Sequence, residues 1–211
     1  RDRSPSRGLG DVYKRQGYLI DNFFWEGTNQ RADNFGGSID KRTAFACEIV
    51  KRARAKVGSD FPMAIRFSQW KQQDFDAKLA YTEEDLKTFL MPLVEAGIDM
   101  FHASNRRYWE PEFEGSNLNL AGWTKKLTGL PTITVGSVGL KSDFIGLYAG
   151  EDAVESQSID DLVKRMEADE FDMVAIGRAL LSDPEWVKKV KAGDFEEIIP
   201  FEKKYAREVY F

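Results

Sequence analysis

Residues 131–139, PTITVGSVG, form an apolar run that breaks directly into a glycine-rich turn. Further along the chain, residues 171–178 repeat the arrangement as FDMVAIGR, which ends in Gly177 and Arg178. Apolar runs of this length are typical of strands buried in a parallel sheet, and glycine lets backbone N–H groups approach a ligand without a Cβ in the way. An arginine beside such turns supplies a forked cationic partner for a phosphate. The two segments predict neighbouring strands whose ends bind a phosphorylated cofactor.

Four apolar runs of this kind alternate with amphipathic segments. They start near Pro62 (PMAIRF), Ile98 (IDMFHAS), Pro131 (PTITVG) and Asp172 (DMVAIG), at intervals of 36, 33 and 41 residues. This alternation is typical of parallel strands covered by helices, and a complete (β/α)8 TIM barrel needs eight such units. The sequence therefore predicts an α/β fold with about four βα units, the C-terminal half of a TIM barrel. We expect the first and last of these strands to have open backbone edges.

Two of the predicted helices have clear boundaries. The first follows Ser38 and ends at Gly58, and the second begins with a capping box between Thr82 and Asp85. Pro92 lies inside the second helix, where we expect either a kink or packing tight enough to tolerate it. The apolar residues expected to face inward are Phe45, Ile49, Ala53 and Val57 in the first helix, and Leu86, Phe89, Leu90, Leu93 and Val94 in the second.

Two further helices are predicted nearer the C-terminus. One starts at Ser158, and the other starts at Ser182, where Glu185 is placed to complete a capping box around Pro184. The residues expected to face inward in the helix after Ser158 are Leu162, Val163 and Met166.

Composition narrows the class of protein. The 211 residues carry a formal net charge of −5, and the basic residues are interleaved with acidic ones, which disfavours a nucleic-acid partner. No apolar run is long enough for a transmembrane helix or a secretory signal. Cys47 is the single cysteine, and no cluster of His, Cys and carboxylates has metal-ligand spacing. We expect a cytoplasmic protein with no bound metal, and its oligomeric state stays open.

The first sixteen residues, RDRSPSRGLGDVYKRQ, differ from the rest of the chain. They lack periodicity and carry five basic residues against two acidic ones. Residues 11–16, DVYKRQ, resemble the translation of a transposon end used in preparing sequencing libraries. We therefore predict that residues 1–16 are a non-native scar or, alternatively, a natural disordered tail. The partial barrel domain then covers residues 17–211.

The predicted strand ends offer few reactive groups. Arg66 ends an otherwise apolar strand, so it contacts either an anionic ligand or a structural carboxylate such as Asp99 or Asp74. His102 is the only histidine, and a lone histidine is more often a hydrogen-bonded packing residue than a ligand. A Ser-His-Asp hydrolase is excluded because no G-x-S-x-G nucleophile elbow is present.

Residues 17–38, GYLIDNFFWEGTNQRADNFGGS, resemble the signature of the Old Yellow Enzyme family, G-Y-L-(L/I)-x-x-F followed by N-x-R-x-D-x-(Y/F)-G-G-S. The resemblance continues through Arg66, the VGSVG turn and IGRALLSDPEW, and it covers about 17–200. Without it, Asn29, Arg31 and Asp33 would be a polar loop that turns into the helix after Ser38. We expect most of these residues to shape the loop.

The resemblance implies an FMN-dependent oxidoreductase that uses NADH or NADPH to reduce a small-molecule activated alkene, an enone or a nitroalkene. Flavin N5 would deliver hydride to the β-carbon, and Tyr18 matches the tyrosine that protonates the α-carbon. Arg66 matches the arginine near flavin N1 and the C2 oxygen. The residues that match the phosphate-binding ends of the seventh and eighth strands are Gly136, Ser137, Gly139, Gly177 and Arg178.

The sequence also departs from the family pattern. The family has His-x-x-His or His-x-x-Asn directly before G-Y-L, where this chain has Lys14, Arg15 and Gln16. The first strands are also missing, so we predict that this chain alone binds FMN weakly or not at all. The aromatic residues Tyr108, Trp109 and Phe113 either wall the substrate pocket or pack a surface loop.

Alternatives to an active ene-reductase remain open. The chain could be a non-catalytic fragment, or part of another FMN- or phosphate-binding barrel such as a dihydroorotate dehydrogenase-like or aldolase-like enzyme. A branch with a cysteine-bound iron–sulfur cluster is disfavoured because the chain has one cysteine.

Overall fold

The computed structural model describes residues 10–12, 19–71, 74, 76–143 and 152–208, and it describes side chains from residue 19 to residue 205 within these ranges. The strands are β1 (Gly10–Val12), β2 (Met63–Ser68), β3 (Met100–Ser104), β4 (Thr132–Val135), β5 (Ala153–Val154), β6 (Met173–Ala175) and β7 (Phe201–Glu202). The helices are α1 (Leu19–Phe24), α2 (Ile39–Val57), α3 (Glu83–Ala96), α4 (Leu120–Thr128), α5 (Asp160–Glu167), α6 (Arg178–Ser182), α7 (Trp186–Ala192) and α8 (Lys203–Glu208), with a 3₁₀ turn at Phe195–Glu197.

A five-stranded parallel sheet in the order β1-β2-β3-β4-β6 organises the chain, and β5 pairs with β7 in a separate antiparallel ribbon. The four predicted strands are therefore confirmed, each beginning within two residues of the expected position. Their parallel register places Arg66 beside His102 and Val135 beside Ala175. The carboxyl ends of β2, β3, β4 and β6 consequently meet at one edge of the sheet.

The expectation of an open edge at β2 is wrong for this structure. Strand β1 pairs with it, with Gly10 opposite Met63 and Val12 opposite Ile65, so β2 has neighbours on both sides. This strand lies within the segment 1–16 whose non-native origin stays a prediction.

Helix α2 begins and ends as predicted, but its buried face is different. Val57 is 42% exposed, because apolar residues spaced four apart drift around a helix by about 40° per step. The buried stripe instead includes Ala46 and Val50, together with the polar residues Arg42 and Thr43. Arg42 donates to the carbonyl oxygens of Phe24 (2.8 Å) and Gly37 (2.5 Å), and the Thr43 hydroxyl donates to that of Ile39 (2.7 Å). Hydrogen bonding to backbone therefore allows a polar face to point inward.

Helix α3 follows its prediction closely. The Thr82 hydroxyl accepts from the N–H of Asp85 at 3.1 Å, and the Asp85 carboxylate accepts from the N–H of Thr82 at 3.1 Å. The helix continues past Pro92 to Ala96, so close packing tolerates the proline. The fully buried residues on its inner face are Leu86, Phe89, Leu90 and Leu93.

The inner face of α5 contains an arginine that the hydrophobic pattern overlooks. Leu162 is buried, whereas Val163 and Met166 are 41% and 40% exposed. Arg165, one turn after Leu162, points inward and donates to the carbonyl oxygen of Asn117 at 3.0 Å. The prediction was therefore wrong for Val163 and Met166.

The predicted capping box at Ser182 is also wrong. Ser182 ends α6, and its hydroxyl bonds the carbonyl oxygens of Ala179 (3.2 Å) and Ile199 (3.3 Å). Asp183 accepts from N–H groups where Ser182 was expected to do so. The Asp183 carboxylate accepts from the N–H groups of Glu185 (3.1 Å) and Ile199 (3.0 Å). An aspartate competes well for free N–H groups at a helix start.

Within the described ranges, no helix combines the length and the apolar composition that crossing a membrane requires.

Replacement of Thr82 by alanine tests the capping box. Thr82→Ala should lower the free energy of unfolding by about 1 kcal/mol, because the N–H of Asp85 loses its acceptor. Equilibrium urea unfolding measures the difference. Ser59→Ala, which removes a hydroxyl bonded only to exposed Asp60, serves as the control and should change little. Equal losses in the two variants would contradict the capping role.

Candidate functional site

A cleft of about 330 Å³ opens where the carboxyl ends of β2, β3, β4 and β6 meet. It is lined by five of the six residues predicted to bind the cofactor, namely Arg66, Gly136, Ser137, Gly177 and Arg178. The sixth, Gly139, lies in the same turn as Gly136 and packs against the ring of Trp186. The structure therefore brings the predicted residues together, while their role in binding stays a prediction.

The charged residues in the described lining of the cleft are all basic. Three arginines, Arg66, Arg106 and Arg178, contribute to the described wall of the cleft, and that wall contains no aspartate or glutamate. Arg106 is paired with the buried carboxylate of Asp143, whereas the described bonds of Arg66 and Arg178 go to neutral oxygens, which leave a guanidinium its positive charge. The cleft is therefore suited to an anionic ligand.

The carboxylates proposed as structural partners of Arg66 are used elsewhere. Asp99 forms an ion pair with Arg54 and accepts from the N–H of Met63 at 2.7 Å, at the opposite end of β2. The Asp74 carboxylate accepts from N–H groups of its own loop. Arg66 itself donates from Nη2 to the hydroxyl of Ser104 at 3.1 Å. Neither Asp99 nor Asp74 is therefore bonded to Arg66 in the described contacts, and the anionic ligand stays a prediction.

The turn after β4 has a backbone shape that exposes N–H groups. Gly136 has φ of 145°, and a Cβ there would lie 2.8 Å from the carbonyl oxygen of Asn105. Ser137 follows with φ of 52°. The carbonyl oxygens of Gly136 and Ser137 both accept from the chain, and in the described part of the protein the N–H groups of Ser137 and Val138 have no acceptor. Both residues line the cleft, so these N–H groups are available to a ligand.

Arg178 is fixed between the ends of β4 and β6. It donates to the carbonyl oxygens of Asp143 (3.1 Å) and Ser142 (2.9 Å), and to the hydroxyl of Ser137 (3.2 Å). Its guanidinium is held by neutral oxygens in these bonds, which orient the group without cancelling its charge. Beside it, no described atom lies within 4 Å of a Cβ placed on Gly177. The cleft therefore has a positioned cation next to open space.

Sequence reasoning assigned no role to Arg106. It donates from Nε and Nη2 to the carboxylate of Asp143, at 3.1 and 3.0 Å, and it lines the cleft. The only signal in the sequence was its position after a predicted strand. Asp143 lies in a segment without a recognisable motif, so the pairing became visible only in the structure.

His102 differs from the expectation of a hydrogen-bonded packing residue. Its Nε2 is buried with no hydrogen-bond partner among the described residues. Burial, and secondarily the positive charge of Arg66, lower the pKa of His102 to about 4. The imidazole is therefore neutral at pH 7, and it adds no positive charge beside Arg66.

The aromatic residues of the loop after β3 pack that loop. Tyr108 and Phe113 are buried, and neither contributes to the cleft wall. The Tyr108 ring lies 5.1 Å from that of Trp109, and the Phe113 ring lies 5.5 Å from that of Trp123. Of the two alternatives for this cluster, the geometry supports loop packing.

The signature loop is held by its own polar residues. The Asn29 side-chain amide donates to the carbonyl oxygens of Phe23 and Phe35, both at 2.6 Å, and Arg31 pairs with Asp33. A Cβ at Gly36 would overlap the carbonyl group of Arg31. These residues shape the loop, as expected.

Tyr18, the predicted proton donor, lies outside the described residues. Among the residues that the structure does describe, no group of three or more His, Cys, Asp and Glu side chains could hold a metal ion. Burial raises the pKa of the Cys47 thiol to about 11, so it is protonated at neutral pH.

The fold and the cleft together define a partial (β/α)8 barrel with an arginine-lined cleft at its strand ends. The model of the NADH:flavin oxidoreductase / NADH oxidase family matches residues 10–197. The chain therefore belongs to this family, the Old Yellow Enzyme family, whose members are flavin-dependent oxidoreductases.

Individual relatives agree with this assignment. The chain is 34% identical over 196 residues to an NADH oxidase of Thermoanaerobacter brockii, covering 89% of this chain and 27% of the relative. It is 28% identical to a cinnamate reductase of Clostridium sporogenes, covering 88% of this chain and 28% of the relative. The chain thus spans little more than a quarter of the length of either protein.

A solved structure shows the same fold. The Old Yellow Enzyme homologue of Zymomonas mobilis superposes with a TM-score of 0.61 at 17% identity, covering 92% of this chain and 46% of that chain. The predicted TIM-barrel fold, present here in part, is therefore confirmed.

A pair of glycine variants tests the shape of the turn. Gly136→Ala should destabilise the protein by about 1–3 kcal/mol, because a Cβ would meet the Asn105 carbonyl and the backbone has positive φ. Gly27→Ala is the matched control, with no positive φ and with open space around a Cβ, and it should unfold nearly like the wild type. Urea unfolding distinguishes the two, and equal stability of the variants would contradict the crowding at Gly136.

The low pKa of His102 predicts a pH-dependent stability. The unfolded state binds a proton near pH 6.5, whereas the folded state binds it only near pH 4, so this residue destabilises the protein as the pH falls through that window. His102→Asn should remove this contribution. Between pH 7 and pH 5, the free energy of unfolding measured in urea should fall less in the variant than in the wild type. Equal decreases in the two proteins would argue against the buried neutral imidazole.

Proposed function

We propose that this chain is part of an FMN-dependent oxidoreductase that uses NADH or NADPH to reduce C=C bonds conjugated to a carbonyl or nitro group. The observation that carries this proposal is the cleft at the strand ends, whose described wall contains three arginines and no carboxylate. Membership in a flavin oxidoreductase family supplies the chemistry to which such a cleft is suited.

The residues present fit the phosphate of FMN. The N–H groups of Ser137 and Val138 offer donors, Arg178 offers an oriented cation, and the space beside Gly177 is open. A phosphate monoester needs such backbone donors together with an arginine. When bound, the flavin supplies hydride transfer.

Arg66 is proposed to face the ring system of the flavin. Its bond to the Ser104 hydroxyl fixes the guanidinium, and the neutral His102 beside it leaves Arg66 as the source of positive charge at this position. A fixed cation stabilises negative charge that develops near it, and it needs no rearrangement during the reaction.

Tyr18 is proposed to donate the proton that completes alkene reduction. The proposal rests on the match of GYLI to the family signature. A phenol has a pKa near 10, so it is protonated and able to donate at neutral pH. The substrate itself is proposed to be a small enone or nitroalkene.

A second candidate is a phosphate-binding fragment without activity of its own. The chain covers 27% and 28% of two relatives, and the parallel sheet of the described residues has five strands where a complete barrel has eight. Residues that contact the flavin ring would then lie elsewhere, which is why weak FMN binding by this chain alone is expected.

Kinetics of a longer protein, whose reading frame is extended upstream of Gly17, test the proposal. With bound FMN, it should oxidise NADH or NADPH anaerobically when 2-cyclohexenone or a nitroalkene is present and form the saturated product. Tyr18→Phe should lower this rate by about 10²–10⁴-fold while ferricyanide still accepts electrons, because only proton donation is lost. Tyr81→Phe, a change at an exposed tyrosine outside the cleft wall, is the control.

A flavin-loaded longer protein that consumes no NADH or NADPH with any activated alkene would contradict the proposal. Tight, stoichiometric FMN binding by the present chain alone would contradict the separate expectation that this chain binds FMN weakly or not at all.

A further inference from the structure

Asp143 connects the loops that surround the cleft. Its side chain is almost completely buried, and its Oδ2 accepts two hydrogen bonds from Arg106, from Nε at 3.1 Å and from Nη2 at 3.0 Å. Arg107 Nη2 lies 3.4 Å from the same oxygen. The carboxylate of Asp143, which lies in the segment after β4, therefore orients the loop after β3.

The backbone of the same segment holds the other arginine. Arg178 donates to the carbonyl oxygens of Ser142 and Asp143, while the hydroxyl of Ser137 accepts from Arg178 at 3.2 Å and bonds the carbonyl oxygen of Arg106 at 3.0 Å. Arg106 and Arg178 are thus joined through Asp143 on one side and through Ser137 on the other. Both line the same cleft.

We propose that Arg106 is a second phosphate-binding arginine of this cleft, and that Asp143 is the positioning residue that holds Arg106 and Arg178. The proposal rests on the proposed binding of FMN in the same cleft. A guanidinium fixed along its Nε and Nη2 edge has a defined orientation, so less side-chain entropy is lost when an anion binds. Two arginines suit a phosphate that carries close to two negative charges.

Three sources could supply this phosphate chemistry: the monophosphate of FMN, inorganic phosphate, and the diphosphate of a nicotinamide dinucleotide. The monophosphate of FMN is favoured, because the N–H groups of Ser137 and Val138 border a single turn, next to one end of the arginine pair. A diphosphate would require a second set of donors further along the cleft.

Arginine-resolved NMR of the ¹⁵N-labelled chain can test the proposal even where binding is weak. Titrations use FMN, riboflavin, inorganic phosphate and ADP, the last as a probe for a diphosphate, at matched ionic strength. FMN and inorganic phosphate should shift the Nε–H signals of Arg106 and Arg178, and riboflavin should not. Arg106→Gln should weaken FMN and phosphate binding about tenfold or more and leave riboflavin unchanged.

The variants separate positioning from general stability. Asp143→Asn should weaken FMN binding several-fold, and Asp143→Glu should recover part of it because the carboxylate is retained. Arg107→Gln is the matched control, since Arg107 neighbours Asp143 and pairs with Glu110 but does not line this cleft. It should bind FMN like the wild type.

Each outcome decides the proposal. Arg106→Gln with unchanged phosphate and FMN affinity, alongside loss in Arg178→Gln, would overturn the role of Arg106 while leaving the FMN site intact. No shift of either arginine with FMN or phosphate would overturn the proposal, as would shifts produced by ADP and not by FMN. Arg106-dependent phosphate binding, together with a longer protein that reduces no alkene, would support this inference and refute the proposed function.

Discussion

The turn after β4 packs directly on the loop after β3, and the cleft depends on this contact. The Gly136 backbone lies so close to the Asn105 carbonyl that a side chain has no room between them, and the N–H of Tyr108 bonds the Gly136 carbonyl at 3.1 Å. The next two residues, Ser137 and Val138, line the cleft, and their N–H groups have no acceptor in the described part of the protein. The loop after β3 in turn places Arg106 in the wall.

The cations of the site are held by separate contacts at three strand ends. Ser142 and Asp143 bond Arg178 and Asp143 bonds Arg106, whereas Arg66 donates to the hydroxyl of Ser104. His102 stays neutral because it is buried beside Arg66, so the site avoids a further positive charge. Preorganised cations of this kind bind an anion without much rearrangement, which suits a permanently bound cofactor.

The sequence predicted the strands well, because their apolar runs are distinctive. The glycine turns, and the place of Arg178 at the strand ends beside them, follow from the same runs. The errors occur where polar groups are buried through hydrogen bonds, as with Arg42 in α2 and Arg165 in α5. Hydrophobic periodicity has no means of finding such residues. The pairing of Arg106 with Asp143 was missed for the same reason, since it joins segments far apart in the chain.

The most direct test of the account is a crystal structure of the longer protein, with its reading frame extended upstream of Gly17, in complex with FMN. The account predicts that the phosphate lies within hydrogen-bond distance of the N–H groups of Ser137 and Val138 and of the guanidinium of Arg178. Phosphate density outside the cleft, or inside it without contact to this turn, would contradict the claim that the ends of β4 and β6 bind the cofactor.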